Sequence, residues 1–254
     1  MTFYLNYEDD IQDPIFNGFM KAGKLNGPGT AFYSSGKKFL EAVWSEDHMI
    51  GRAVGLYDNE NKYFEGTFDE EGGHQVNIYD RRGDLLLYTG KTWPVDYEKC
   101  KVEWKEGVSY DKISGNKRCE GNWINSKLDG PEIITYDQSG QLHSIGSYKN
   151  GHCLQSKEFY KDGQLKLETG WTGQRWNGLV KRYGRTGNVQ WEGYYENGQK
   201  DGSGTEYYEP NEAFGVKNVK KYEGTWKKGK LNGDRIKYWD EKGVLRFEGC
   251  YVDD

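Results

Sequence analysis

The chain lacks long apolar runs, paired cysteines and histidine clusters, and each absence removes a class of protein. No stretch of its 254 residues reaches the ~20 apolar residues that a membrane-spanning helix needs, and mean hydropathy is −0.98. Cys100, Cys119, Cys153 and Cys250 are scattered without a Cys-x-x-Cys pair. That fits a reducing compartment better than a disulfide scaffold. Met1 to Asp10 have neither the basic start nor the apolar core of a secretory leader. The expectation is a cytoplasmic protein.

Signatures of chemistry are equally sparse. Four histidines form no recognisable Ser-His-Asp or Cys-His arrangement. His143, His152, Cys153 and Cys119 match no zinc module. The stretches around Gly29 and Gly204 lack the Lys-Ser/Thr ending of a phosphate loop. No cofactor and no metal are expected. The formal charge of −5 disfavours nucleic acid and, less strictly, an anionic membrane. Lysines at 217, 220 and 221, or 227, 228 and 230, read as a solvated face.

Glycine and aromatic rings are abundant: 35 Gly, 20 Tyr and 9 Trp, with aromatics at 15%. Disordered chains of such low hydropathy are poor in aromatics. The combination reads as a one-layer β-sheet with tight turns and packed rings. The clearest repeated unit runs from Trp191 through Glu192-Gly193-Tyr194-Tyr195 and Asn197-Gly198 to Gly202, Gly204 and Tyr208. Equivalents of Gly193 fall at Gly18, Ala42, Gly66, Gly90, Gly121, Gly146, Gly170, Gly224 and Gly249, so there are ten units. Glu precedes this position at 41, 65, 120, 192, 223 and 248, and an aromatic follows two residues later in most units.

The spacing predicts two strands and two turns per unit. Tyr222, Gly224 and Trp226 share one strand face while Glu223 and Thr225 take the other. Leu165, Leu167, Thr169 and Trp171 alternate in the same way. Asn150-Gly151, Asp162-Gly163, Asn177-Gly178 and Asn197-Gly198 are predicted turns. A glycine inside a strand marks close approach, here by an aromatic ring from a neighbouring strand. Because the Glu recurs in most units, it reads as a structural acceptor or groove charge rather than one of a unique catalytic pair.

The run Tyr222-Glu223-Gly224-Thr225-Trp226-Lys227-Lys228-Gly229-Lys230-Leu231-Asn232-Gly233 closely resembles the MORN repeat. Phe159-Tyr160-Lys161-Asp162-Gly163-Gln164-Leu165, followed by Glu168, resembles the bacterial branch often labelled antitoxin-like. The resemblance covers nearly the whole chain and weakens where Ala42 and Thr89 replace motif residues. It implies an all-β fold: an elongated, twisted, single-layer antiparallel meander of about ten two-stranded repeats, with a groove on one face. It also implies a protein-interaction scaffold, and a phospholipid-binding role has been proposed in the family.

Residues 1–15 are expected to form a lead-in strand and residues 16–254 the repeat array, with lengthened units at about 91–116 and 209–219. The expected function is a non-enzymatic scaffold that binds a protein or peptide segment in an aromatic-lined groove. Trp93, Trp123, Trp171, Trp191, Tyr195, Tyr222, Trp226 and Phe214 are the candidate contact residues. Overall acidity alone points to a partner segment with some Lys or Arg. The alternatives are a toxin-neutralising immunity protein and a peripheral phospholipid-binding module. The terminal strand Phe247 to Tyr251 is a candidate edge for pairing with a second copy.

Overall fold

A computed structural model describes residues 2–3, 15–83, 86–92, 103–210 and 218–252. Among them there are twenty-two strands and no helix. The chain divides into two compact units, the first comprising residues 1–129 with 138–140 and the second 130–137 with 141–254.

The first unit contains β1 (Thr2–Phe3), β2 (Ile15–Lys21), β3 (Lys24–Phe32), β4 (Lys38–Ser45), β5 (His48–Leu56) and β6 (Lys62–Asp69). It continues with β7 (Gly72–Tyr79), β8 (Leu86–Thr92), β9 (Trp104–Tyr110), β10 (Lys117–Ile124) and β11 (Lys127–Leu128). Each strand pairs antiparallel with the next, which makes an open meander. Its core is a belt of rings and small residues: Phe16, Trp44, Ala53, Phe64, Phe68, Tyr88 and Trp123 are all buried. Tyr88 stacks on Trp104 at 4.8 Å and meets Trp123 edge-on at 5.6 Å.

The second unit contains β12 (Gly130–Tyr136), β13 (Leu142–Lys149), β14 (His152–Phe159), β15 (Leu165–Thr172), β16 (Arg175–Tyr183) and β17 (Val189–Glu196). After these come β18 (Gln199–Tyr207), β19 (Lys220–Lys227), β20 (Lys230–Leu231), β21 (Gly233–Trp239) and β22 (Leu245–Tyr251). It too is an open antiparallel meander; the two-residue β20 and the longer β21 both lie along β19. Leu167, Val180, Trp191, Tyr195 and Trp226 form its core, with Trp176, Tyr222 and Leu231 packed against them.

Turn chemistry explains most of the hairpins. Asn197 and Gly198 adopt φ of 53° and 84°, the pair of positive angles that a two-residue turn between twisted strands requires. Asn177-Gly178, expected to be a turn, lies inside β16, and that hairpin turns at Gly173-Gln174 instead. The register between β15 and β16 shifts between Thr169 and Trp171. Across that step β16 carries two more residues than β15, and Gly178, with φ of 85°, supplies the positive angle at which a strand can absorb them as a bulge.

The strand glycines do mark close approach, but the expected ring is the crowding group at only some of them. A Cβ on Gly204 would lie 2.5 Å from the Trp191 ring of the neighbouring strand, and one on Gly193 would lie 2.7 Å from that same ring. Elsewhere the crowding atom is backbone: a Cβ on Gly66 would meet the Gln75 carbonyl oxygen at 2.6 Å, and one on Gly170 the Asn177 carbonyl oxygen at 2.6 Å.

Candidate binding face

Directly opposed residues of paired strands point to the same side of a sheet, so the register assigns each row of the second unit to a face. One row runs Ile133, Gly146, Ser156, Thr169, Val180, Gly193, Gly204, Gly224. This is the core face. It alternates small residues with the rings that cover them, and the motif glycine belongs to it. Trp191 meets Trp226 edge-on at 4.8 Å and Tyr195 at 6.0 Å, and Tyr195 meets Trp176 at 5.7 Å.

The aromatic candidates sit here. Trp191, Tyr195 and Trp226 are 1%, 8% and 4% exposed, and Trp123 is buried in the core of the first unit. Trp171 is half-buried and donates through Nε1 to Ser156 Oγ at 2.9 Å. Half-buried Tyr222 packs against the tilted ring of Tyr238 at 5.2 Å. Trp93 and Phe214 lie outside the described residues, as do residues 93–102 and 211–217 of the two lengthened segments.

Lys200 is the irregular member of the core face. Corresponding positions after the hairpin turn are held by Leu25, Met49, Leu128, Trp176 and Leu231. Its Nζ lies 3.8 Å from the centre of the Trp191 ring and donates to Glu206 Oε2 at 2.6 Å. Burial lowers the Lys200 pKa below the ordinary lysine value, and the bond to Glu206 opposes that shift. No repeat count would have found this residue; aligning the post-turn positions does.

The opposite face carries the motif Glu. Its central row runs Ile134, Ile145, Lys157, Glu168, Lys181, Glu192, Thr205, Glu223, Lys237, Glu248. Lys157 pairs with Glu168 at 3.1 Å, and Lys181 with Glu192 at 3.4 Å. Tyr183 donates to Glu168 Oε2 at 2.6 Å, and in the first unit Tyr79 donates to Glu65 Oε1 at 2.8 Å. These hydroxyl donors, together with the lysines at 157 and 62, hold both carboxyls below their usual pKa. The repeated Glu is thus an acceptor and a ladder charge in one.

Beside that ionic row lies a groove of about 660 Å³, whose lining includes Pro131, Ile145, Leu154, Lys157, Leu179 and Lys181. None of the aromatic candidates lines it. Leu154 and Leu179 are 50% and 54% exposed, and Tyr194, the register partner of Leu179, is 50% exposed. The sequence contains the signal for them. Leu179 and Tyr194 share the parity of the motif Glu rather than of the motif Gly, and there an apolar side chain has no core to enter.

The paired strands, the glycine row and the Glu row repeat with the period of the sequence unit. A family profile for the MORN repeat matches residues 16–38, 191–211 and 222–233. The chain carries MORN repeats. MORN repeats are in general modules of protein or membrane interaction rather than catalytic units. No curated protein matches the chain. Among the described residues, no group of three or more His, Cys, Asp or Glu is placed to hold a metal ion, and no helix is long and apolar enough to cross a membrane.

Proposed function

We propose that this MORN-repeat chain is a non-catalytic scaffold that binds a segment of a partner protein on the groove face of its second unit. The reading is carried by the exposed row Leu154, Leu179 and Tyr194 beside a groove. The MORN aromatics are mostly used to build the core, so affinity must come from the apolar groups left outside it. Large side chains in a depression exclude water around a bound partner and supply the anchors of an interface. The lysine–glutamate row beside them is largely neutralised within the sheet, so it favours orientation over raw affinity.

The test is hydrogen exchange on the full chain after native complexes have been isolated. The expected result is a bound polypeptide with added protection in β13 to β17. A complex that protects only the core-face hairpin ends, or a small molecule found turned over, would overturn the reading.

A further inference from the structure

We infer that the last strand of the second unit is the interface of a homodimer: β22 of one copy pairs antiparallel with β22 of a second copy, about a two-fold axis through Gly249. This surface is separate from the groove and does not depend on what the groove binds.

The ring layer is uncovered at this strand. Phe247, two residues before the motif glycine, is 42% exposed, and Tyr251, two residues after it, is 47% exposed. At the first position Phe16, Phe64, Tyr88 and Trp191 are all buried, and at the second Trp44, Phe68, Trp123, Tyr195 and Trp226 are. Those rings sit on strands paired along both edges, whereas β22 pairs only with β21 among the described residues. Repeat arrays are kept soluble by terminal units with a polar outer face, and edges that avoid pairing carry Lys or Pro. Strand β22, Leu-Arg-Phe-Glu-Gly-Cys-Tyr, has neither.

A second copy matches this edge by symmetry. The Phe247 ring leans over Gly249, where a Cβ would meet it at 3.2 Å, much as the Trp191 ring lies over Gly193. Trp191 also covers Gly204, the residue opposed to Gly193. Gly249 of a second copy, opposed to Gly249, supplies the equivalent second glycine. The small-residue row, which reaches β22 at the pair Ile236–Gly249, then continues into the other copy.

This register sets Phe247 against Tyr251 twice on the ring face and Glu248 against Cys250 twice on the other. No like charges oppose each other. Glu248 is already met by Lys237 at 3.7 Å, and Arg246 by Asp240 at 2.6 Å, within one copy. Centring the pair on Glu248 would oppose two carboxylates, which is unfavourable. Centring it on Phe247 would put Leu245 against Gly249 and break the row. Association stops at two, because β1 already lies along β2, with Thr2 opposite Asn17 and Phe3 opposite Phe16. Head-to-tail growth thus meets a covered edge, while an isologous pair closes on itself.

Sedimentation equilibrium of the full chain over a wide concentration range tests this. The expected mass rises from 29.3 kDa toward twice that value and no further. Phe247→Lys and Tyr251→Glu should each weaken dimerisation by about tenfold or more, since each places a charge in the ring contact. The double variant should restore it, because the register brings the two new charges together as opposite pairs. Circular dichroism and thermal melts check that each variant is folded, and Ile113→Asp is the control that should leave dimerisation unchanged. A single-chain mass at every concentration would overturn the dimer, as would a mass that keeps growing or a dimer indifferent to both single substitutions. Loss in both single variants without rescue in the double would overturn the Gly249-centred pairing.

Discussion

The hydroxyl of Tyr160 donates to the main-chain carbonyl oxygen of Tyr183 at 2.8 Å, one repeat further along the chain. The same stitch joins Tyr33 to the Leu56 carbonyl at 2.7 Å, Tyr57 to Tyr79 at 2.8 Å and Tyr208 to Trp239 at 2.9 Å. Each bond spans a strand pair and ties the end of one unit to the end of the next. In an array whose stability is a sum of units and neighbour contacts, these bonds belong to the neighbour contacts. Tyr160→Phe should cost about 1 kcal/mol in urea unfolding. Tyr194→Phe, on an exposed ring with no such bond described, should be close to neutral. Equal costs for the two would remove the stitch as a distinct contribution.

Gly204 tests the glycine row. Its β-carbon would enter the Trp191 ring at 2.5 Å, and that ring is fixed by Trp226 and Tyr195. Gly204→Ala should therefore destabilise the second unit by about 1–3 kcal/mol through overpacking. Gly163→Ala has nothing within 4 Å and meets only the penalty of its φ of 84°, about 1 kcal/mol. Thermal melts of the two variants measure the difference. The order reverses if the Trp191 ring can move aside.

Lys200 occupies a position that other units fill with apolar groups, but Lys200→Leu removes only one partner of its pair with Glu206, so it should destabilise the second unit by about 1–3 kcal/mol. Lys221 Nζ, 3.7 Å from Glu206, remains to hold that carboxylate. The sign with pH follows from the depressed pKa of Lys200. The unfolded chain binds this proton more tightly than the folded one. The wild type should therefore gain stability relative to Lys200→Leu as pH rises through the folded pKa toward 10.5. Parallel stability curves for the two proteins across that window would contradict the assigned burial.

Glu168 gives the acid-side counterpart. Its folded pKa lies below the ordinary 4.5, first because Tyr183 donates to it and then because of Lys157. The stabilisation is complete above the unfolded pKa and is lost as pH falls through the folded one. Glu168→Gln should flatten the acid limb of the stability curve, and Tyr183→Phe should flatten it partly. An acid limb unchanged by both would show that other carboxyls govern it.

The alternation of Tyr222, Gly224 and Trp226 against Glu223 and Thr225 was legible from spacing alone, because a strand has period two and the repeat holds its phase. The same phase assigned the motif Glu to the face opposite the rings, and the register places Glu168 and Glu192 there. The Asn177-Gly178 bulge was not legible. The dipeptide has the same chemistry as the turn at Asn197-Gly198, and only the strand register chooses between them.

By itself the sequence determined the repeat, the strand pattern and the two-sidedness of each strand, all of which follow from local geometry. Tertiary structure decided what each side is for. Trp191, Tyr195 and Trp226 pack on one another and on glycine, so their area is spent inside the fold. Leu154, Leu179 and Tyr194 are no more apolar than those rings, yet they remain outside. The difference is physical: side chains on the glycine-row face pack into the layer of rings, side chains on the motif-Glu face have no such layer to enter, and register decides which face each residue takes.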